Sequence, residues 1–442
     1  MKTRMWPAAF AVGLAAVAAA ATVPASAQNR AAPVIHLTMW QQWGGGHERA
    51  ALDRIIREYE ALHPNVRITE LPVTNNAKIL SAITGGTPPD IIDLGTSLYL
   101  GEWAAKGALM PLNGFIRKTH LDTGLFTANS WKPVTYEGKV YGLPFMDFDV
   151  GLLYNKKLFR AAGLNPNDPP KTLEQLTADA YKLTRVGPGG RIEQLGFDPV
   201  YPGQANGQVA TIEDLGWLFG GGWYDQATHR VTADLPANVR ALAWEKSFFT
   251  KYGAKAMSAF LASAGAYLTP QDPFESGKLA MVYDGPWALA YMKANVPSLF
   301  PDIGVAPFPA PSGLSGRSGT TFIDTNPQVI PTGAKHPMAA FQFIAWEATN
   351  PQVTATFAQL VANLPQLRHV PSFPWENDPR FRLFMQEAAG TNAHVWPQLT
   401  VSTQYGVALG QAEQEATIGG MSAKAALEQV QQSISQALAG AP

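Results

Sequence analysis

From Ile35 to Met39 the chain alternates, with Ile35, Leu37 and Met39 apolar, and this period of two predicts a half-buried strand over 34–39. Leu52, Ile55, Ile56, Tyr59 and Leu62 then recur every three or four residues, a helical stripe that ends at His63-Pro64. Val66 to Ile68 reads as a second strand and Ala77 to Ile83 as a second helix. Ile91 to Leu94, entered through Pro88-Pro89-Asp90, reads as a buried strand. Strands alternating with helices predict a parallel sheet with right-handed crossovers. In such sheets ligands collect outside the carboxyl ends of the strands, and two loops leave those ends: Trp40 to Gly46, and Gly95-Thr96-Ser97. The first offers the indoles of Trp40 and Trp43 and the amides of Gln41 and Gln42. The second offers two hydroxyls, and neither loop is cationic, so the crevice suits a neutral polyol better than a phosphate.

A second α/β region follows. Val150 to Tyr154 predicts an apolar strand after a bent, proline-containing passage at Gly142-Leu143-Pro144, and Thr172 is placed to cap a helix behind Pro169-Pro170. Leu279 to Tyr283 is a short apolar strand stopped by Gly285-Pro286, and Trp287 stands where a helix can begin. An aromatic in that place either closes a turn against the core or faces a ligand. Leu218 to Asp225 is another glycine-rich turn, carrying Gly222 and Trp223. Ala306 to Pro311 predicts a second passage between the two regions. Pro337 to Trp346 predicts a helix ended by Asn350-Pro351, and Tyr405 to Leu438 predicts two more.

A chain of 442 residues that is 46% hydrophobic can bury enough surface for about two domains. It begins with Lys2 and Arg4, an alanine-rich run from Ala8 to Val23 and the small-x-small site Ala25-Ser26-Ala27, which together read as a secretory signal over residues 1–27. The run is broken by Gly13 and ends at Pro24, short of a comfortable membrane span. Loss of the signal would move the net charge from −1 to about −3. With a balance this near neutral and no cluster of Lys and Arg, no nucleic-acid partner is expected. Zero cysteines leave no disulfide, no thiolate metal site and no lipidated residue behind the signal, so the expected compartment is the periplasm, without a lipid anchor.

Catalytic motifs find little support. Asp147 and Asp149 stand two apart on an extended segment, where their side chains would share a face as acid/base carboxylates do, but no further partner stands at a recognisable spacing. His47-Glu48 opens like a zinc helix, yet Ala51 occupies the place of the second histidine. There is no Gly-x-Ser-x-Gly elbow, and neither glycine triplet, 44–46 nor 220–222, leads into Gly-Lys-Ser/Thr. No enzyme activity, cofactor or metal is expected.

Two ordered motifs, Gly142-Leu143-Pro144 through Leu153-Tyr154-Asn155-Lys156 and Phe274-x-x-Gly277-Lys278-x-Ala280-Met281 through Gly285-Pro286-Trp287, carry a resemblance to the extracellular solute-binding proteins of sugar ABC transporters. Pro88-Pro89-Asp90-Ile91-Ile92 and Lys335-His336-Pro337-Met338-Ala339-Ala340 agree with it, and it spans almost all of residues 34–442. The resemblance implies a periplasmic binding protein-like α/β fold: two lobes around a ligand cleft, joined by hinge crossings. Lobe one would hold 34–145 and 312–350, lobe two 146–311 and 351–442. It further implies a monomer that binds a mono- or oligosaccharide and delivers it to a membrane permease. Trp287 matches the tryptophan that stacks on a sugar ring. Trp40, Gln41, Gln42, Trp43, Thr96 and Ser97 fall where lobe one meets hydroxyls, Asp147, Phe148 and Asp149 fall at the hinge side of the cleft, and Tyr405 lies on a late helix that often supplies an aromatic. Gly222 and Trp223 join this set from the glycine-rich turn. Lys157 stands where many relatives have an acid, and the loop after the third strand lacks an aromatic or carboxylate, which bears on the identity of the sugar. Two other functions stay open. A receptor for glycerol 3-phosphate or a glycerophosphodiester would need a cleft cation, for which only Arg368 and Lys156 are candidates; a secreted glycoside hydrolase would use Asp147 and Asp149.

Overall fold

The computed structural model describes residues 33–43, 46–200 and 211–441; the signal at 1–27 and Gly44-Gly45 of the first loop lie outside them. The strands of its two main sheets are, in chain order, β1 (Ile35–Gln41), β2 (Val66–Pro72), β3 (Ile91–Asp93), β4 (Gly142–Phe148), β5 (Gly151–Asn155), β6 (Ile192–Phe197), β7 (Leu279–Asp284), β8 (Ile303–Ala306) and β9 (Asp324–Val329). One sheet has the order β2-β1-β3-β9-β4, and the other runs β8-β5-β7-β6 with Arg185–Val186 at its edge. Each sheet, with its helices, makes one lobe of an α/β fold.

The sheets are mixed rather than purely parallel. β1 lies parallel to β2 and β3, but β9 is antiparallel to both β3 and β4. In the second sheet β5 is antiparallel to β7 and β8. The reason is topological: β5 and β9 enter their sheets directly from the other lobe rather than through a helical crossover, so their direction is set by the junction.

Local chemistry explains where helices begin. The Asn155 side chain accepts from the N–H groups of Lys157 and Leu158 at 3.0 and 3.2 Å, and Thr172 accepts from Gln175, so both elements start as their capping residues dictate. Asn350 ends the helix Pro337–Thr349 and also caps the next, Pro351–Val361, through Gln352 and Val353. That second helix packs on Gly46–Leu62 of lobe one. Two expected bounds therefore differ from what the sheets draw: β4 keeps residues 146–148 in lobe one, and 351–361 stays there too.

Three passages join the lobes: Asp149-Val150, the stretch 307–323, and the stretch after Val361. They are tied together. The Thr321 hydroxyl donates to the Val150 carbonyl at 2.9 Å and accepts from the Val150 N–H at 3.0 Å. The backbones of Asp147 and Leu364 exchange both hydrogen bonds, at 2.7 and 2.8 Å. Thr321–Phe322 pairs with Ala393–His394.

Candidate functional site

The carboxyl ends of β1 and β3 in lobe one, and of β6 and β7 in lobe two, lie next to these passages. Trp287 opens the helix Trp287–Asn295 directly after β7 and remains partly exposed. Its indole N–H donates to the Tyr267 hydroxyl, which donates to Asp284 Oδ1 at 2.8 Å, and that oxygen also accepts the Gly285 N–H at 2.8 Å. The Phe148 ring meets the indole edge-on, with centroids 5.8 Å apart and planes at 85°. A Cβ on Gly285 would fall 1.9 Å from the indole ring, so only glycine lets the ring lie across the turn. Tyr267 was invisible to sequence reasoning because nothing local connects it to Asp284 seventeen residues later.

From lobe one, the Gln42 amide donates to Asn326 Oδ1 at 2.6 Å and covers Gly95, where a Cβ would lie 2.3 Å from Gln42 Oε1. Thr96 donates its hydroxyl to Asp324 Oδ2 at 2.5 Å and accepts the Leu98 N–H at 3.1 Å, while the Ser97 N–H reaches the same Asp324 oxygen at 2.9 Å. Burial lifts the Asp324 carboxyl to about 6 against the pull of these donors. Phe148 lies between Trp287 and Phe322, whose centroid is 6.1 Å away. Gln42, Phe148 and Trp287 are thus gathered at the junction, together with Tyr267, Asp284, Asp324 and Asn326, while Thr96 and Ser97, expected to meet hydroxyls, are buried beside Asp324 at 0% and 1% exposure.

Other expected contacts are placed elsewhere. β1 runs on to Gln41, so Trp40 is a strand residue rather than a loop residue, with the Lys78 ammonium 5.7 Å from its ring. Gln41 is fully buried and donates to Glu70 Oε2 at 2.6 Å. Trp43 is core: its N–H donates to Asp93 Oδ2 at 2.8 Å and its ring meets Phe357 edge-on at 4.9 Å. Trp223 is 1% exposed and donates to the Glu213 carbonyl at 2.8 Å, and its own carbonyl accepts the buried Tyr405 hydroxyl at 2.7 Å. Both rings are interior to lobe two, although Gly222 beside them lines a surface groove. A tryptophan next to a glycine-rich turn can face either way, and long-range acceptors decided the matter here.

Asp147 and Asp149 do not form a working pair. Asp147 is 3% exposed and accepts from Ser130 Oγ, while Asp149 is fully buried, with neither carboxyl oxygen partnered among the described residues. Burial, then the nearby Glu387, raises the Asp149 carboxyl well above the usual range. The cations considered for a phosphate are also remote: Arg368 donates to the Gly124 carbonyl in lobe one, and Lys156 lies beside β8 of lobe two. Among the described residues no group of three or more metal-ligating side chains could hold an ion, and no helix is long and apolar enough to cross a membrane.

Burial lifts the carboxyls of Asp93 and Asp284 to about 7 and those of Asp147 and Glu387 to about 8. Each binds its proton more tightly in the folded chain than in the unfolded one, where the value is about 4. Across that window the native state holds more protons, so its stability declines as pH rises toward 8. Thermal unfolding should therefore give its highest midpoint near about pH 5 and a falling one up to about pH 8. A level or rising midpoint would show that these carboxyls are not held neutral by burial.

Two α/β lobes joined by three passages, with the Trp287 indole of lobe two meeting Phe148 of lobe one at their junction, define a receptor for a small solute. The family described as bacterial extracellular solute-binding protein matches residues 44–354, and the chain belongs to it. A maltotriose-binding protein of Pyrococcus abyssi is 27% identical over 363 residues, covering 80% of this chain and 71% of that one. The structure of CpMnBP1 with mannotriose bound is similar at a TM-score of 0.81 with 33% identity, covering 90% of this chain and 99% of that one. A maltose/maltodextrin-binding domain from Bdellovibrio bacteriovorus bound to maltotriose shares the fold at a TM-score of 0.74 and 20% identity, covering 92% of this chain and all of that one.

Proposed function

We propose that this chain is the substrate-binding component of an ABC-type carbohydrate importer, taking a mono- or oligosaccharide between its lobes in the periplasm and handing it to the membrane permease. The observation that carries this reading is the Trp287 indole, partly exposed and locked in plane by Tyr267 and Asp284. A pyranose presents a patch of C–H on each face and hydroxyls around its rim. The indole face attracts the first, and a part-exposed amide such as that of Gln42 exchanges hydrogen bonds with the second. The relatives named for maltotriose and mannotriose support the same class of ligand. The protein acts as a monomer and makes no covalent change to its ligand. A sugar that touches both lobes binds the closed arrangement better than the open one and shifts the equilibrium toward it. The buried Asp147 and Asp149 give no support to glycoside hydrolysis.

Calorimetry of the purified protein with maltotriose, mannotriose and mannobiose tests this, with sn-glycerol 3-phosphate as the competing ligand. At least one of the sugars should bind with micromolar or better affinity. Binding of sn-glycerol 3-phosphate alone would replace the carbohydrate reading with the phosphate one, and release of shorter sugars during incubation would replace it with hydrolysis.

A further inference from the structure

A groove of about 540 Å³ lies away from Trp287, lined by both lobes and by the stretch 395–400. Buried rings separate it from the cleft. Phe322, on the second passage, packs on Phe148 toward Trp287 and stacks on Trp217 toward the groove, the latter at 6.3 Å and 12°. Trp217 lines the groove, whereas Phe148 and Trp287 do not. In lobe one the hairpin Thr135–Tyr136 with Lys139–Val140 turns through Glu137 and Gly138, both at positive φ, and this tight turn presents Tyr136 to the groove. In lobe two the turn that carries Gly222 presents Tyr224. Tyr136 from lobe one and Tyr224 from lobe two thus line the same groove from either side of the lobe junction.

The remaining lining has the chemistry of a polyol site. Trp396 is 1% exposed, and its indole N–H finds no acceptor among the described residues. The Gln398 amide, which reaches Ser97 Oγ at 3.3 Å and the Gly101 N–H at 2.8 Å, forms part of the same wall. The formal charges on the lining are those of Lys132 and Glu137, which cancel, so a phosphate or a polyanion is not favoured. The volume is within the range of about 300–1,000 Å³ typical of small-molecule sites.

We infer that this groove is a second carbohydrate-binding site, in which one to three sugar rings stack on Tyr136 and Tyr224 and so bridge the lobes. It rests on the importer reading for the class of ligand but not for the site, since it shares no stacking ring with Trp287. A ligand held by both lobes favours one arrangement of them, so its affinity is coupled to occupancy of the cleft, and the coupling is reciprocal. The glycine-rich turn around Gly222 thereby acquires a role that the cleft does not give it.

Calorimetry with maltotriose and mannotriose on the full chain distinguishes the two sites. The wild type should show a tight and a weak event. Tyr136→Ala with Tyr224→Ala should weaken the second event at least about tenfold, as one or two lost stacking contacts imply. Gly222→Leu provides an independent variant: a Cβ there meets nothing within 4 Å, so the side chain fills the groove without disturbing the fold. Trp287→Ala should do the reverse, removing the tight event and keeping the weak one. A single Trp287-dependent event in the wild type, or a weak event unchanged in both groove variants, overturns the second site and leaves the cleft reading intact. Absence of the tight event overturns the cleft reading itself.

Discussion

Replacing Trp287 by alanine should weaken carbohydrate binding by about 30- to 1,000-fold, the loss of about 2–4 kcal/mol typical of an aromatic anchor. The estimate follows from the environment of the ring. Its N–H is held by Tyr267, its edge by Phe148, and the Gly285 turn lies beneath it, so little freedom remains to be lost when a sugar arrives. Because the indole is only half-buried, the same change should cost about 1–2 kcal/mol of stability, less than a core tryptophan would. Trp287→Phe keeps a stacking face but drops the hydrogen bond to Tyr267, and should fall between wild type and alanine. Titration calorimetry paired with thermal melts separates the outcomes. Near-normal affinity in Trp287→Ala combined with a collapse in the melting midpoint would make this residue a packing element and move the stacking role elsewhere.

The largest stability effect should come from Gly196→Ala, far from any ligand. Gly196 is in β6, directly under the helix Leu173–Leu183, and a Cβ there would lie 1.9 Å from the Ala180 carbonyl oxygen and 2.5 Å from its carbon. Backbone cannot swing aside as a side chain can. The helix would have to lift from the sheet, which would also strain the 3.0 Å hydrogen bond from the Gly196 N–H to the Thr184 hydroxyl. Overpacking of this kind costs about 3 kcal/mol or more, or about 6 °C or more in the midpoint if lobe two melts as a unit. Gly410→Ala serves as the control: it lies in the helix Ser402–Thr417 with nothing within 4 Å of a Cβ and should be neutral or slightly stabilising. Equal midpoints for the two variants would mean that the helix is not seated so closely on the strand.

Where a feature depends on short-range pattern, the sequence was a good guide. The strand ending in Asp284, the Gly285-Pro286 stop and the helix starting at Trp287 follow from apolar run, turn signal and φ restriction within ten residues. Thr172 and Asn155 cap helices for the same local reason. Failures came where a side chain's direction depends on a distant partner. Trp43 and Trp223 sit beside glycine-rich turns just as a ligand contact would, but one found the Asp93 carboxylate and the other the Glu213 carbonyl. Tyr267 failed in the opposite sense, an unremarked tyrosine that becomes the support of Trp287 only once β7 brings Asp284 to it. In sequence Asn350-Pro351 predicts an end, and it is also a beginning, because the same amide that follows one helix caps the next.

Laced at Thr321 and again at Asp147, the passages between the lobes form a braided strap rather than separate tethers. Shear of one lobe past the other would slide the plies and break four short hydrogen bonds, whereas a bend of the whole strap preserves them. Swinging should therefore be the soft coordinate, and it would carry Trp287 toward lobe one along nearly the same arc each time.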